Sequence, residues 1–357
     1  MKRVKQWLVF DPLDTLFFKG SEPMIAGENH EVRSIFPPMP ETVLGALRTA
    51  IIEQRRIGLK DFTPSGGPNP EILKAYPLLG TPEESGFRVI GPVFRTLVKD
   101  GEEDYLFPGP AHWFADSSDR WKNEQDIHVA SGELIPERFA SLGLGGSVLS
   151  PIWVTEPGGR EMKSLAGHWA NLSALTSFEK RRSIKACTSL KSLRPDTPSV
   201  LSLNAIFDFE GRVGIALENI TRRARQGHLY SSTQVRLKPG VTIAIGLSDD
   251  LVPTYLNEKG VLQLGGEQRV GRYELLSKGP ALMDGNAPWI MSLSPFLISE
   301  LEKNNWQNLP RVSGPLIRMG GWDMKIQFHK PVRSYFPSGT AIMAGQNVSI
   351  PHNFIRL

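Results

Sequence analysis

Apolar and polar positions alternate in short runs over most of the chain and change to helical spacing in two places. Val4 to Phe10 is β-branched and aromatic, stops at Asp11-Pro12, and predicts an opening strand. A long connection runs from Asp14 to Phe36-Pro37-Pro38, and connections of that length in compact domains are often functional. From Pro40 the spacing predicts a helix: proline suits the first turn, Glu41 complements the dipole, and Val43, Leu44, Leu47, Ala50 and Ile51 share a face up to Gly58. Phe87 to Asp100, Gly101, and Asp104 to Phe107 predict a hairpin with an Asp-Gly turn, closed by Pro108-Gly109-Pro110.

Ser117 to Asn123 reads as an exposed loop, and Gly143 to Gly146 as a turn before a strand over Val148 to Thr155. A second helix is expected over Ala166 to Phe178, where Trp169, Leu172, Leu175 and Phe178 recur about every third residue. Beyond Arg212 the character is strand-rich: Val213 to Leu217, Leu229 to Leu237, Val241 to Leu247 after a Pro239-Gly240 turn, Trp289 to Ile298, and Gly321 to Ile350. No exact internal repeat is present. The pattern predicts an α+β chain, and at 357 residues two domains of ordinary size.

Composition narrows this a little. The 34 glycines and 28 prolines favour many turns over a helical bundle. Cys187 is the single cysteine, so no intramolecular disulfide and no cysteine-based zinc site can form, as suits a reducing cytosol. No histidine pair has the i, i+4 spacing of a zinc helix. No apolar stretch approaches a membrane span, and the N-terminal apolar run is too short for a signal peptide, so a cytoplasmic protein with no membrane partner is expected.

The net charge of +4 permits nucleic-acid binding without demanding it. Its distribution says more: Arg181, Arg182, Lys185, Lys191 and Arg194 form one basic run, and Arg222, Arg223 and Arg225 another. The stretch from Leu262 to Leu276 adds Gly265 and Gly266, whose backbone amides can approach a ligand, beside Gln268, Arg269 and Arg272. Glycine, bare amides and arginine suit a phosphate backbone, and equally a hairpin with solvated arginines.

Four stretches resemble one family. Asp14 to Met24 is similar to its D-x-L-F-F-R-D-G-R-P-F opening, and Phe36 to Thr49 to F-P-P-x-P-x-T-x-x-G-A-L-R-T. Arg212 to Tyr230 resembles R-x-G-I…T-R-x-A-x-x-G-x-L-Y, and Leu264 to Arg269 resembles L-G-G-E-G-R. A weaker likeness joins Gly321-Trp322-Asp323 to Lys330-Pro331-Val332-Arg333 and Pro337 to Gly339. These span Asp14 to Gly339 in the family's order. The chain thus resembles the third subunit of the Cmr complex, the type III-B CRISPR RNA-guided effector, within the RAMP superfamily.

The resemblance implies two ferredoxin-like (RRM-like) domains packed together with long loop insertions, taken here as residues 1–198 and 199–357. It implies a non-catalytic subunit without cofactor that holds the 5′ repeat-derived tag of the CRISPR RNA. Its implied protein partners are the large polymerase-like subunit and the neighbouring RAMP backbone subunit. Departures are Lys19-Gly20-Ser21-Glu22 in place of R-D-G-R, which removes guanidinium groups, and Gln268 in place of a glycine, which stiffens that loop. Residues 120–163 do not align, so partner contacts there are not read.

An RNA surface needs cations, stacking faces and base-edge donors. Arg222, Arg223, Arg225, Arg269 and Arg272 are the first candidates, with Gly265 and Gly266 admitting the backbone and Gln268 between them. His228 is read as a base contact or an ordinary surface histidine, Phe36 as a stacking ring or a core residue, and Arg48 as a phosphate contact or a helix-surface cation. Arg333 adds positive charge, while Trp322 and Asp323 read as structural. Related RAMP proteins cut RNA with a histidine, and His228 beside Arg225 is the position such chemistry would use. No second histidine, tyrosine-lysine pair or carboxylate cluster supports it. A scaffold that touches only protein is the third class.

Overall fold

The computed structural model describes residues 3–21, 31–62, 68–98, 101–116, 124–135, 152–154, 161–176, 181–218, 221, 223–282, 285–323, 328–346 and 348–357, without the side chains of 31, 181, 182, 216, 224–230, 322, 323 and 329. Its compact units are not the consecutive segments 1–198 and 199–357. One comprises Met1–Pro92, Phe207–Gly279 and Arg318–Arg333, and the other Val93–Ile206, Pro280–Ile317 and Ser334–Leu357. Hydrophobic patterning along a chain carries no mark of which distant segments share a core, so a single cut was the simplest expectation.

The elements used below are β1 (Gln6–Pro12), β2 (Glu31–Arg33), α1 (Pro40–Gln54), β3 (Val89–Leu97), β4 (Phe207–Leu217), β5 (Ala224–Leu237), β6 (Val241–Leu247), β7 (Lys259–Gln263), β8 (Val270–Leu275), β9 (Ile317–Asp323) and β10 (Phe328–Phe336). In the first unit the sheet order is β7–β8–β1–β6–β3. β1 is antiparallel to both neighbours, Val9 facing Ala244 on β6 and Glu274 on β8. Leu8, Phe10, Ile243 and Ile245 are fully buried, which explains why β1 and β6 read as nearly continuous apolar runs.

Helix α1 buries Val43, Leu47, Ala50 and Ile51 and packs against β7. Gln54 ties its end to the sheet, its Nε2 donating to the Tyr273 hydroxyl at 2.7 Å. A second sheet, β4–β5–β2, carries the longest strand pair of the unit. Its base is anchored by Leu16 and Val235, whose amides and carbonyls bond reciprocally at 2.8 Å.

In the second unit the expected helix over 166–178 is instead a strand, Trp169–Asn171, followed by a short helix, Leu172–Thr176. The reason is Asn171. Its Oδ1 accepts from the amides of Ala174 at 3.1 Å and Ser199 at 2.9 Å, capping the helix late and binding the strand to Ser199–Leu201. Phe178 lies outside the described residues. A separate core gathers Ile290, Phe296, Leu301, Trp306, Ile342 and Phe354. No described helix is long and apolar enough to cross a membrane.

Candidate nucleic-acid interface

The β4–β5 hairpin organises the first unit's candidate site. Phe207 and Val235 are buried at its base, whereas farther out Val213 is 72 % exposed and Ile215 and Leu217 about half. The hairpin therefore leaves the core and stands in solvent. Its register is regular from Phe207↔Leu237 to Ile215↔Leu229 and then shifts to Leu217↔Ala224. One residue of β4, Ala216, thus faces four of β5, Arg225 to His228. Extra residues that cannot join the ladder bend a strand and re-aim its side chains. Gly227 lies inside that bulge, where a residue without Cβ eases the bend.

Beyond the bulge the Glu218 amide donates to the Arg223 carbonyl at 2.9 Å, and the Thr221 hydroxyl to Glu218 Oε2 at 2.6 Å. Arg223 is exposed there. Arg222 lies outside the described residues, as do the side chains of Arg225 and His228; Arg225 and His228 are placed by their backbone alone.

At the other end of the hairpin lies a charged network that sequence reasoning missed. Asp14 Oδ2 accepts from Arg269 Nη1 at 3.1 Å and from Arg212 Nη2 at 3.5 Å, and its Oδ1 accepts from Arg236 Nη2 at 3.2 Å. Glu210 Oε2 takes Arg236 Nε at 2.7 Å, and Oε1 takes Arg212 Nη2 at 3.3 Å. Arg269 Nη2 also donates to Gln234 Oε1 at 2.9 Å and Glu267 Oε2 at 3.0 Å.

The Asp14 carboxyl is held below its ordinary range by the Thr15 backbone donor and by Arg212 and Arg236, and Glu210 is held low chiefly by its Arg236 hydrogen bond. Arg236 is correspondingly raised by Glu210 and Asp14. The available signal was the alternation Asp208, Glu210, Arg212 opposite Gln234 and Arg236, which puts these polar groups on one face.

The glycine loop joins that network rather than standing open. Gly265 has φ +96°, and an added Cβ would sit 2.6 Å from the Phe17 carbonyl oxygen. The Gly266 amide donates to that same oxygen at 2.8 Å. Gly266 thus spends its amide, and both glycines their closeness, on Phe17. Glu267 and Gln268 both take φ near +54° and +53°, the left-handed conformation that costs a residue with Cβ about 1–2 kcal/mol and glycine none. Arg269 is consumed by three partners of its own chain, while Arg272, on β8, is exposed.

Other candidates separate likewise. Phe36 is 9 % exposed, packed on Phe207 at 4.7 Å and Phe18 at 5.8 Å between ring centroids, so it serves the core and offers no stacking face. Arg48 is turned inward: its Nε donates to the Leu79 carbonyl at 3.1 Å, its Nη2 to Thr81, and its guanidinium lies over the Phe62 ring. It caps a turn, the helix-flank alternative to a phosphate contact. Arg333 is exposed on β10. In the basic run of the second unit, Lys185 Nζ donates to the Ser192 carbonyl and Arg194 Nη1 to that of Leu193, so these cations close local turns.

The candidate RNA-surface residues therefore divide into two groups. Along β4, from Glu210 opposite Gln234 to Leu217 opposite Ala224, the hairpin covers seven steps, about 23 Å, so the glycine loop and the arginine-bearing tip occupy opposite ends of one hairpin.

Comparison with known proteins fixes the relationship. No curated protein matches the chain. Two solved structures of the type III-B Cmr-beta complex share its fold. One, bound to cognate target RNA and AMPPnP, matches at TM-score 0.51 and 16% identity, covering 95% of this chain and 86% of the other. The second, bound to cognate target RNA, matches at TM-score 0.50 and 18% identity, covering 94% and 86%. The family model for CRISPR-associated protein (Cas_Cmr3) matches residues 8–293. The chain belongs to that Cas_Cmr3 family of CRISPR-associated proteins.

Proposed function

We propose that this subunit is a non-catalytic RNA-binding component that holds the 5′ repeat-derived tag of the CRISPR RNA, with the β4–β5 hairpin as its principal contact. The observation that carries the reading is the bulge over Arg225–His228 at the outer end of a solvent-standing hairpin, next to exposed Arg223. A ladder broken at the residues that carry Arg225 and His228, beside a basic tip, suits a phosphate backbone followed by a base. The similar Cmr-beta structures contain cognate target RNA, which supports an RNA-lined position in the assembly.

The order β8–β1–β6–β3 with α1 after β1 supports a ferredoxin-like core for the first unit, its second helix replaced by turns over 251–256. The base network keeps the hairpin upright and neutralises its own arginines, so the tag contact belongs to the tip. Val213, Ile215 and Leu217, exposed on one face, favour a further protein contact, for which the polymerase-like subunit and the adjoining RAMP backbone subunit are the partners we infer.

The test uses the full chain and a labelled RNA carrying the tag, titrated over a salt series. Arg222→Ala with Arg223→Ala should weaken binding and lower the slope of log K against log salt by about 1.4, two single-strand phosphate contacts. An unchanged dissociation constant and slope would remove the tip from the interface. In the same tubes the RNA should keep its length; metal-free shortening that stops with His228→Ala would instead identify a processing nuclease.

A further inference from the structure

The β9–β10 strand pair has no role so far. The two strands are hydrogen-bonded neighbours, with four residues between Asp323 and Phe328. Over Phe328–Arg333 the described side chains are exposed on both faces, and Arg318 on β9 is exposed too. Successive strand residues point to opposite sides, so Phe328, Lys330 and Val332 share one face. Phe328 is 65 % exposed and Val332 56 %.

Across from them stand Gly320 and Gly321. A Cβ at Gly320 would lie 3.7 Å from Val332 Cγ2, and one at Gly321 3.6 Å from Lys330 Cδ. The two side chains therefore lie along glycine backbone, where Ser21 Cα also comes within 3.8 Å of a Cβ at Gly320, and the Phe328 ring stands exposed beyond them.

Charge decides what that surface suits. From Ile317 to Phe336 the sequence has four cations (Arg318, Lys325, Lys330, Arg333) and one carboxylate (Asp323), a net of +3 where the whole chain carries +4. A protein-binding patch is depleted of lysine at its centre, whereas Lys330 sits between Phe328 and Val332. An exposed ring flanked by cations on a strand is the arrangement by which single strands are bound without base-edge readout.

We propose that β9–β10 is a second contact for single-stranded RNA, in which the Phe328 ring stacks on a base while Lys330 and Arg318 hold the adjoining phosphates; Arg333, on the opposite face of β10, adds only to the surrounding positive field. This rests on the reading that the subunit binds RNA, and extends it to a surface outside the β4–β5 hairpin.

The experiment compares wild type, Phe328→Ala, Phe328→Leu, Phe328→Trp and Lys330→Ala as full chains, with a single-stranded RNA carrying 2-aminopurine at successive positions. Phe328→Ala and Phe328→Leu should each weaken binding about tenfold without changing the salt slope, and abolish fluorescence quenching at one position. Phe328→Trp should retain both affinity and quenching. Lys330→Ala should lower the salt slope by about 0.7. Unaltered melting temperatures guard against misfolding, and the leucine variant, which keeps the apolar bulk, separates stacking from packing.

If Phe328→Ala and Phe328→Leu bind within twofold of wild type while the Arg222/Arg223 variant is weakened, this inference fails and the tag reading stands, leaving the face to a protein partner. If wild type has no affinity for the RNA, both fail.

Discussion

At the scale of single residues, Asp14 has the largest reach. It is half exposed, yet it gathers three guanidiniums from β4, β5 and the glycine loop. Exposed pairs contribute little one by one, so the network's effect is geometric: it fixes the loop against the hairpin base. Because Asp14 and Glu210 are both held below their ordinary values of 3.8 and 4.5, their contribution is complete at neutral pH and is lost as pH falls through the lowered values. Protection factors of the Leu13–Thr15 and β4 amides, which divide out the intrinsic pH dependence of exchange, should therefore fall in wild type on going from about pH 5 to about pH 3. Asp14→Asn should lower them already at neutral pH and flatten the acid step; an acid step of the same size in the variant would exclude Asp14 as its origin. Gly265 is the counterpart that cannot be exchanged, since its left-handed backbone and the nearby Phe17 carbonyl both refuse a Cβ.

At the scale of elements, α1 illustrates how sequence and packing divide the work. Pro40, Glu41 and the apolar face from Val43 to Ile51 made its place legible, and the helix runs Pro40–Gln54 as those residues require. The destiny of Arg48 was not legible, because the carbonyls of Leu79 and Thr81 that receive it lie more than thirty residues away. Arg48→Ala should cost about 2 kcal/mol of stability in a denaturant melt, with RNA affinity intact; a selective loss of RNA binding would return Arg48 to the interface. The strands of the β4–β5 hairpin were visible from alternation, but the bulge was not, since it exists only as a mismatch between two registers. The short strand Trp169–Asn171 hid inside apparent helical spacing because Asn171 bonds to Ser199, again a distant partner. Local patterning thus identified most elements, and failed where one side chain's distant hydrogen bonds override it.

At the scale of the molecule, the chain leaves the first unit at Pro92, returns at Phe207, and returns again at Arg318. Motif order along the sequence exposed the family but not this weaving. A fragment comprising residues 1–198 lacks β6, the strand between β1 and β3. It also lacks β8, so it should show no cooperative thermal transition: β1 would face water along both edges and β3 along one. A sharp two-state melt of that fragment would overturn the assignment of β6 to the centre of the sheet.

Synthesis imposes a timetable on such a strand order. Val9 meets Ala244 roughly 235 residues after it has left the ribosome, a delay of about 12–50 s at ordinary elongation rates. Throughout that interval the nascent Trp7-Leu8-Val9-Phe10 segment is a sticky ribbon without its mate. Production of this subunit should accordingly lean on holdase chaperones more heavily than its finished stability would suggest.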